Sequence, residues 1–507
     1  MDKQRVFLTG ATGCMGFASM KEMLKDSDKQ DIVILVRSSE KNRKLLKPFM
    51  NTQGLIIVWG DLTDYRAVRE CVRDCDLILH IAAFVSPAAD YYPRQAMEVN
   101  YGSTRNLINA VFDLGQEKRT RFVYIGTVAE TGDRMPPIHW GRVGDPVKPS
   151  IFDYYAVSKV AAERLVIESG LKYWVSLRQT GIIGSAMSKI DDAIIFHNCF
   201  DNVLEYCSDR DSARAMRHLC AYFHDGTLSE SFWGHIYNIG GGESCRVDTY
   251  TMYRKVFGAI GLDSLDLFFS PRKQAIVNFH GQYYLDSDKL ENYLHFRQDS
   301  MQYFYDSYME ELGAVRYISK AICRLPGGQK LMGSILRVKF DRLARTEHGT
   351  LRFIEENMEG HIEAYWGSRE RWEALPEKLS DMKHFSDWDT VIAIDHGYDE
   401  GKPESELNWE DMNKAAQFRG GRLISRSMIQ GDWSTKLEFE CAFGHRFKAS
   451  PRLVLEGGHW CDECERKSWN YGNRAKTDLF FAQVWNPLHE ETECREYPKI
   501  VSELDVK

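Results

Sequence analysis

Several features that would restrict the class of this protein are missing from its sequence. No apolar run approaches the roughly 20 residues that span a bilayer, so we expect neither a transmembrane helix nor a membrane partner. The first residues lack the apolar core of a secretory leader, which favours a cytoplasmic location. Most of the 12 cysteines are scattered singly, a pattern typical of reduced thiols and not of a disulfide framework.

Length and charge set further limits. A chain of 507 residues is too long for one compact core, and its net charge of −8 gives no general reason to expect a polyanion partner. Composition shifts along the chain predict five segments. These are a catalytic region at 1–300, a helical extension at 301–375, an acidic linker at 376–411, a cysteine-containing unit at 412–475 and a tail at 476–507.

Short apolar runs alternate with amphipathic stretches in the first 135 residues. Stretches of helical spacing at 67–75 and 103–114 separate some of these runs. This alternation predicts an α/β fold, a doubly wound parallel sheet of the Rossmann type, followed by a smaller substrate lobe. The predicted strands are Arg5–Thr9, Asp31–Val36, Leu55–Trp59, Leu77–Ile81 and Arg121–Ile125.

The first predicted strand runs into a glycine-rich turn that opens a helix. Glycines at such a turn let the backbone approach a pyrophosphate, which then lies at the helix N-terminus. Many strand-to-helix turns carry two glycines, so the position directly after the first strand is what favours a dinucleotide site. The candidate cofactor residues in this turn are Gly10, Thr12, Gly13, Met15 and Gly16.

The end of the second predicted strand bears on the choice of nicotinamide cofactor. Binders of NAD usually place an acid here, whereas an arginine accommodates the extra phosphate of NADP. The sequence has Arg37 at this point and no acid before Glu40. It therefore favours NADP(H) over NAD(H), although Arg37 as a solvated loop residue is the alternative.

A Y-x-x-x-K spacing places Tyr155 and Lys159 on one face of a predicted helix. A neighbouring ammonium stabilises a phenolate and brings the pKa of the phenol toward neutral pH. Thr127 ends the fifth predicted strand, where a hydroxyl can bind a substrate oxygen. Each feature alone also fits an ordinary helix or strand end, but their order along the chain predicts a catalytic group of Thr127, Tyr155 and Lys159.

With these motifs in order, residues 1 to about 300 resemble the extended short-chain dehydrogenases, which include nucleotide-sugar epimerases and 3β-hydroxysteroid dehydrogenases. The resemblance implies that Asp61 and Leu62 border the adenine and that Ala82 and Ala83 lie along the cofactor. It also implies that Lys159 holds the nicotinamide ribose. The dehydratases of this family carry two acids after the catalytic Thr, and Thr127-Val128-Ala129 lacks both. We therefore expect an oxidoreductase that does not dehydrate its substrate.

The substrate is less well defined by the sequence. Aromatic and apolar residues at 84–93, 194–196 and 222–223 favour a hydrophobic, steroid-like alcohol or ketone, although core packing is the commoner fate of such residues. Arg210, Arg214 and Arg217 could instead bind the diphosphate of a nucleotide sugar, which keeps an epimerase as the alternative. A cofactor-sensing scaffold without catalysis is a third possibility.

Near the C-terminus, Cys441 and His445 precede Cys461 and Cys464 by about 16 residues. Two such pairs match a tetrahedral structural zinc site, with His459 as a competitor for one position. The surrounding residues resemble zinc-ribbon and treble-clef domains. Because Lys414, Arg419, Arg422 and Arg426 make this region basic, a nucleic acid or protein partner stays open beside the small-molecule substrate, as does a homodimer.

Overall fold

A seven-stranded parallel sheet forms the centre of the computed structural model, which describes residues 2–184, 187 and 191–501. Its strands are β1 Gln4–Thr9, β2 Gln30–Val36, β3 Leu55–Trp59, β4 Leu77–His80, β5 Arg121–Thr127, β6 Tyr173–Gln179 and β7 His235–Ile239. Their spatial order is β3-β2-β1-β4-β5-β6-β7. Successive strands are therefore added on one side of β1 up to β3, and from β4 onward they are added on its other side. The predicted Rossmann architecture is confirmed.

Helices cover both faces of this sheet. The main ones are α1 Cys14–Met23, α2 Glu40–Leu46, α3 Tyr65–Val72, α4 Ser103–Asp113, α5 Tyr154–Ile167 and α6 Asp209–His224. The strands are nearly continuous apolar runs, as a parallel sheet buried on both faces requires. Alternate side chains enter two cores: Phe7 and Phe122 pack with α3, α4 and α5, while Val6 and Leu8 pack with α1 and α6.

A helical lobe lies over the carboxyl ends of the strands. Its helices are α7 Thr249–Gly258, α8 Asp288–Leu294, α9 Met301–Leu312, α10 Ala314–Cys323, α11 Gly328–Leu343, α12 Thr350–Glu355, α13 Glu359–Trp366 and α14 Arg369–Glu373. Short strand pairs join Ile182–Ile183 to Cys207–Ser208, Val203–Glu205 to Arg246–Asp248, and Trp140–Gly141 to Tyr283–Tyr284. Within the described residues, no helix is both long and apolar enough to cross a membrane.

The C-terminal unit is a small antiparallel sheet with surrounding helices. Its elements are α15 Trp409–Phe418, β8 Arg422–Leu423, β9 Leu437–Glu440, β10 Arg446–Ala449, α16 Asp462–Lys467, α17 Tyr471–Ala475 and α18 Leu479–Trp485, and the strands Ser468–Trp469 and Tyr497–Pro498 pair beside them. Phe439 and Trp460 of this unit share one hydrophobic core with Val166 of α5 and Trp174 of β6. The predicted tail extends to 507, and 502–507 lie outside the described residues.

Candidate active site

One large cavity of about 1510 Å³ opens along the carboxyl ends of the strands. Its first part is lined by the glycine turn after β1 and by the ends of β2, β3 and β4. Its second part runs under the helical lobe and is walled mainly by apolar side chains of α7, α9, α10 and α11. Tyr155, Lys159 and Thr127 line the cavity between these parts. The strand ends of such sheets are where ligands bind.

The glycine turn lets the protein backbone approach a ligand closely. Gly10 has φ +74°, and a Cβ there would lie 2.8 Å from the backbone of Ala82. A Cβ on Gly16 would lie 2.2 Å from the carbonyl oxygen of Gly10. Only glycine satisfies both positions, and α1 begins at Cys14 with its free N–H groups beside the turn. All five residues predicted in the turn line the cavity.

The remaining predicted cofactor residues also line the first part of the cavity: Arg37, Asp61, Leu62, Ala82 and Ala83. The Asp61 carboxylate accepts hydrogen bonds from the backbone N–H and the hydroxyl of Thr63, both at 2.9 Å. Arg37 is exposed at the rim, and Lys41 lines the cavity beside it. Arg43, a further cation shortly after β2, does not line the cavity. Its guanidinium stacks over the Trp59 ring at 4.6 Å and donates to the hydroxyl of Ser38.

Of the three predicted catalytic side chains, Thr127 and Lys159 are buried and Tyr155 is partly buried. Asp153 caps α5, its carboxylate accepting from the N–H of Ala156 at 2.8 Å, which fixes where Tyr155 and Lys159 emerge. Burial raises the pKa of the Tyr155 phenol, and a hydrogen bond with Thr127 lowers it by less. Burial lowers the pKa of Lys159 despite the nearby carboxylates of Glu130 and Glu163.

The Lys159 ammonium is held in place from the sheet side. It donates to the carbonyl oxygen of Ile125 at 2.6 Å and lies 4.1 Å from the centroid of the Tyr124 ring. A carbonyl at the end of β5 and an aromatic face both favour the charged form. The ammonium is therefore anchored at a defined point beside the cavity.

Behind these residues lies a buried charge network that the sequence analysis did not identify. The Glu130 carboxylate accepts from the backbone N–H of Thr127 at 3.0 Å. Arg178 on β6 pairs with Glu130 at 3.1 Å and with Glu163 of α5 at 2.7 Å. Charges taken out of water must be paired, so this network fixes the end of β5 against α5. The sequence feature that could have indicated this network is the four-residue spacing of Lys159 and Glu163, which places both on one face of α5.

The same network continues into the C-terminal unit. His459 lies 3.2 Å from Glu163 through Nε2 and 3.2 Å from Glu465 through Nδ1. Arg178 donates to the carbonyl oxygen of Gly457 at 2.7 Å, and Arg164 donates to that of Trp460 at 2.9 Å. Both His459 nitrogens are therefore engaged by carboxylates, so His459 is not a competing metal ligand as the sequence analysis allowed.

The four predicted zinc ligands converge. Nδ1 of His445 lies 3.5 Å from Sγ of Cys441, 3.3 Å from Sγ of Cys464 and 3.7 Å from Sγ of Cys461. All four ligand atoms lie within 4.8 Å of one another. Tetrahedral zinc with S and N ligands requires neighbouring donors about 3.3–3.8 Å apart, so the residues fit this metal.

The basic residues near this cluster are less available than their sequence positions suggest. Arg419 is buried, donating to the carbonyl oxygens of His396 and Ala415. Arg422 pairs with Glu440 at 2.6 Å, and Lys414 pairs with Glu410 at 3.1 Å. Arg426 is exposed. Neutralised and buried cations offer little to a polyanion, and a nucleic acid partner for this unit stays a prediction.

Residues predicted for the substrate side divide into two groups. Phe84, Ile194 and Ile195 line the second part of the cavity, together with Phe279 and His280, which the sequence analysis missed. Phe196, Tyr222 and Phe223 do not line it. Phe196 is buried in a core, and Tyr222 and Phe223 lie on α6, where they pack against the core that contains Val6 and Leu8.

The three arginines proposed for a diphosphate lie outside the cavity lining. Arg217 pairs with Asp26 at 2.7 Å, Arg210 with Asp299 at 3.0 Å, and Arg214 with Asp211. Arg217 and Arg210 hold α6 to neighbouring segments through these pairs, and Arg214 does so by donating to the carbonyl oxygen of Phe296 at 2.9 Å. None of the three is placed to bind a substrate in this cavity.

Residues 6–240 match the model of the NAD dependent epimerase/dehydratase family. A 3 beta-hydroxysteroid dehydrogenase/Delta 5-->4-isomerase of Vaccinia virus is 29% identical over 194 residues, 35% of this chain and 52% of the relative. A UDP-N-acetylglucosamine 4,6-dehydratase of Campylobacter jejuni is 29% identical over 118 residues, 23% of this chain and 35% of the relative. A UDP-glucose 4-epimerase of Rickettsia rickettsii is 26% identical over 125 residues, 24% of this chain and 36% of the relative.

The chain thus spans about half the length or less of these curated relatives. Among solved structures, DesIV, a dTDP-glucose 4,6-dehydratase of Streptomyces venezuelae with NAD and TYD bound, aligns with TM-score 0.48 and 19% identity. That alignment covers 61% of this chain and 97% of DesIV. The matched region, less than half of this chain, is similar to the NAD dependent enzymes of this family.

Proposed function

We propose that this protein is an NADP(H)-preferring oxidoreductase that interconverts a secondary alcohol and a ketone on a hydrophobic, steroid-sized substrate. The observation that carries the proposal is the position of Thr127, Tyr155 and Lys159 in one cavity, between a glycine-turn part and an apolar part. The first part fits a dinucleotide and the second fits an apolar ring system, so the two would meet beside these side chains.

The proposed chemistry uses these side chains for binding and proton transfer. When bound, the nicotinamide supplies or accepts the hydride. Thr127 and Tyr155 bind the substrate oxygen, and Tyr155 gives that oxygen a proton in reduction or takes one in oxidation. The hydrogen bond with Thr127 opposes the effect of burial on the pKa of Tyr155, and the Lys159 ammonium, four residues along the same helix, would stabilise the phenolate.

The lining of the second part supports a hydrophobic substrate over a nucleotide sugar. Among the described residues, the carboxylates that line the cavity are Asp61 and Asp191, and Asp191 pairs with Lys339 at 3.0 Å. Apolar side chains make up most of the rest of this wall: Leu204, Met252, Val256, Phe257, Phe269, Phe304, Met332, Leu336 and Phe340. Few cations in this part of the cavity could bind the diphosphate of a nucleotide sugar. The epimerase is therefore the second candidate, after the oxidoreductase.

Dehydration is not part of this proposal. The acid nearest in sequence to Thr127 is Glu130, which is buried and pairs with Arg178. Glu130 does not line the cavity. It supports the backbone of Thr127 from behind, and its carboxylate is therefore not placed to protonate a leaving group.

We also propose that Cys441, His445, Cys461 and Cys464 hold a structural zinc ion. Four protein ligands leave no position for a catalytic water. The ion would fix the loop that carries His459, and the helix α16 that carries Glu465, against α5. A protein partner for this unit and a homodimer stay predictions.

Turnover measurements with a matched pair of variants test the proposed function. Purified protein is assayed with NADPH and NADH against steroid and other cyclic ketones, their alcohols, and nucleotide sugars. Tyr155→Phe should lower kcat about 10²–10⁴-fold while cofactor binding stays intact. Tyr154→Phe is the control, because the Tyr154 hydroxyl lies outside the cavity and accepts a hydrogen bond from the backbone N–H of Ile500 at 3.4 Å.

Three results would contradict the proposal in different ways. Full turnover by Tyr155→Phe would remove the catalytic assignment. A clear preference for nucleotide sugars would favour the epimerase. Tight nucleotide binding without hydride transfer to any substrate would favour the cofactor-sensing scaffold.

A further inference from the structure

The hairpin formed by α10 and α11 exposes an unusual amount of apolar surface. Among the described residues, seven of the nineteen exposed large hydrophobic side chains lie in this one hairpin. Each is between 54% and 63% exposed: Val315, Tyr317, Ile318, Leu325, Leu331, Ile335 and Val338. Such a concentration on one small element marks an interaction surface. We call it the exposed hairpin, residues 314–343.

Helix α11 is apolar on two opposite faces. Leu331, Ile335 and Val338 follow one another at i, i+4 and i+7 and face solvent. Met332, Leu336 and Phe340, at i, i+4 and i+8, line the cavity on the other side. A surface helix of a globular protein needs only one apolar face, toward the core. The outer stripe therefore has no function in packing this chain.

Positive charge surrounds this outer stripe. The exposed hairpin contains seven Lys or Arg residues and one Asp, in a chain whose net charge is −8, and one of the seven, Lys339, pairs with Asp191. Lys330 and Arg324 are exposed near the turn between the helices, and Arg342 is exposed near the end of α11. The one acid, Asp341, pairs with Lys273. An apolar stripe among basic side chains is the composition of helices that lie in a membrane interface.

We propose that the exposed hairpin binds the surface of an anionic lipid bilayer, with its outer apolar stripe inserted among the lipid headgroups. The basic side chains are complementary to anionic lipids. A second copy of this chain fits less well, because a symmetric interface would bring two strongly basic surfaces together. The sequence analysis predicted no membrane partner because the chain has no segment long enough to span a bilayer. A helix that lies on the bilayer surface does not require such a segment.

The same hairpin is a wall of the substrate part of the cavity. Val315 and Ser319 of α10 line the cavity together with Met332, Leu336 and Phe340 of α11. A hairpin in the headgroup region would place this part of the cavity next to the bilayer. The hydrophobic substrate would then enter from the lipid phase, a step that rests on the proposed function, whereas binding to the bilayer does not.

Flotation with lipid vesicles tests the binding. The full chain is mixed with vesicles of phosphatidylcholine alone and of phosphatidylcholine with phosphatidylserine, at low and high salt. We expect co-flotation with the anionic vesicles, weakened by salt and by the neutral lipid. Ile318→Ser with Ile335→Ser should lower the partition coefficient about tenfold or more. Arg324→Gln with Lys330→Gln should lower it about tenfold on anionic vesicles only.

The control is Ile429→Ser, which removes an equally large side chain that is 73% exposed outside the hairpin. It should float like the unchanged protein. Equal flotation of the hairpin variants, or no flotation of the unchanged protein, would overturn the proposal. So would light scattering that shows a dimer lost in Ile318→Ser with Ile335→Ser, because a second copy would then cover the stripe.

Kinetics separate this proposal from the proposed function. With a ketone held in anionic vesicles, the Ile318→Ser and Ile335→Ser double variant should show a KM raised about tenfold, whereas kcat and the KM for a water-soluble ketone stay unchanged. Absence of turnover in every protein, with flotation intact, would remove the proposed function and leave the bilayer binding standing. If the double variant and the unchanged protein have equal KM values for the ketone in vesicles, the proposed route of entry is wrong and the bilayer binding still stands.

Discussion

At the scale of single residues, Arg37 illustrates how much a sequence position predicts. The sequence places it at the end of β2, and the structure places it on the rim of the cavity next to Lys41. The Asn42 side chain donates to the backbone carbonyl of Arg37 at 2.9 Å, and the Arg37 side chain is exposed. A phosphate on the cofactor ribose would be the natural partner.

Arg37→Ala should therefore weaken NADPH binding by about tenfold, as loss of one exposed charge-assisted contact predicts, and leave NADH binding unchanged. Fluorescence titration with both cofactors measures this in one protein, with NADH as the internal control. An equal loss for both cofactors would show that Arg37 only shapes the loop. Stronger binding of NADH than of NADPH by the unchanged protein would remove the NADP preference.

Other single residues could not be assigned from the sequence, because their roles depend on contacts distant along the chain. Glu163 looks like an ordinary helix residue until Arg178 and His459 are placed beside it. His459 looks like a metal ligand until both of its nitrogens are seen against carboxylates. Local spacing predicts side chains that act together on one helix, as with Tyr155 and Lys159. It does not predict partners from three separate segments.

At the scale of elements, α5 is held by contacts on two sides. Its cavity side carries Tyr155 and Lys159, and its other side carries Glu163, Arg164 and Val166 against the C-terminal unit. Glu163 is fully buried, and its pKa is held well below the usual range of a glutamate by Arg178 and His459, although burial acts in the opposite direction. The position of the catalytic helix thus depends on a charge that must stay paired.

Glu163→Gln should lower the free energy of unfolding by about 3 kcal/mol, because Arg178 then keeps a buried charge with one fewer carboxylate. Urea denaturation measures the change, and Glu70→Gln is the control. Glu70 pairs with Arg73 on the surface, where such a pair contributes about 0–1 kcal/mol. Equal effects of the two substitutions would mean that the buried network adds nothing to the stability of α5.

The segment predicted as a linker makes its own ion pairs with the catalytic region. Glu400 lies 2.7 Å from Arg142 and 2.8 Å from His396, and these partners lower the pKa of Glu400 to about 2 despite partial burial, which raises it. A lowered carboxyl pKa gives stability that is present above the ordinary glutamate pKa of about 4.5 and is lost as pH falls through the folded value.

The Tm difference between the unchanged protein and Glu400→Gln should therefore be largest near neutral pH and shrink as pH falls below about 4.5. Thermal unfolding across this pH range measures it. Glu406→Gln, at an exposed position of the same segment, should show no such pH dependence. A constant difference at every pH would show that the charge of Glu400 does not stabilise this contact.

At the scale of the whole molecule, the sheet was the most predictable part. Each of the five predicted strands appears within two residues of its predicted ends, because apolar runs in a parallel sheet are long and uninterrupted. The order of the domains along the chain gave no indication of how they pack. The C-terminal unit begins more than 230 residues after α5 and yet shares its hydrophobic core.

That shared core predicts how the protein responds to loss of zinc. Metal analysis should find about one equivalent, and a strong chelator or Cys464→Ser should lower Tm and catalytic turnover together. A single unfolding transition is expected, because the zinc unit and the sheet are one cooperative core. Cys494→Ser, at a cysteine outside the cluster, should change neither. Full activity in the metal-free protein would show that the unit folds and acts separately.

The double attachment of α5 has a consequence for how such a protein can evolve. A gene fragment ending near residue 300 would leave Glu163 without His459, and Arg178 without the carbonyl of Gly457. It would also leave Val166 and Trp174 uncovered. We therefore expect that exchanging the C-terminal unit alone would lower the stability of the catalytic region. We also expect substitutions in α5 and in the C-terminal unit to vary as a pair.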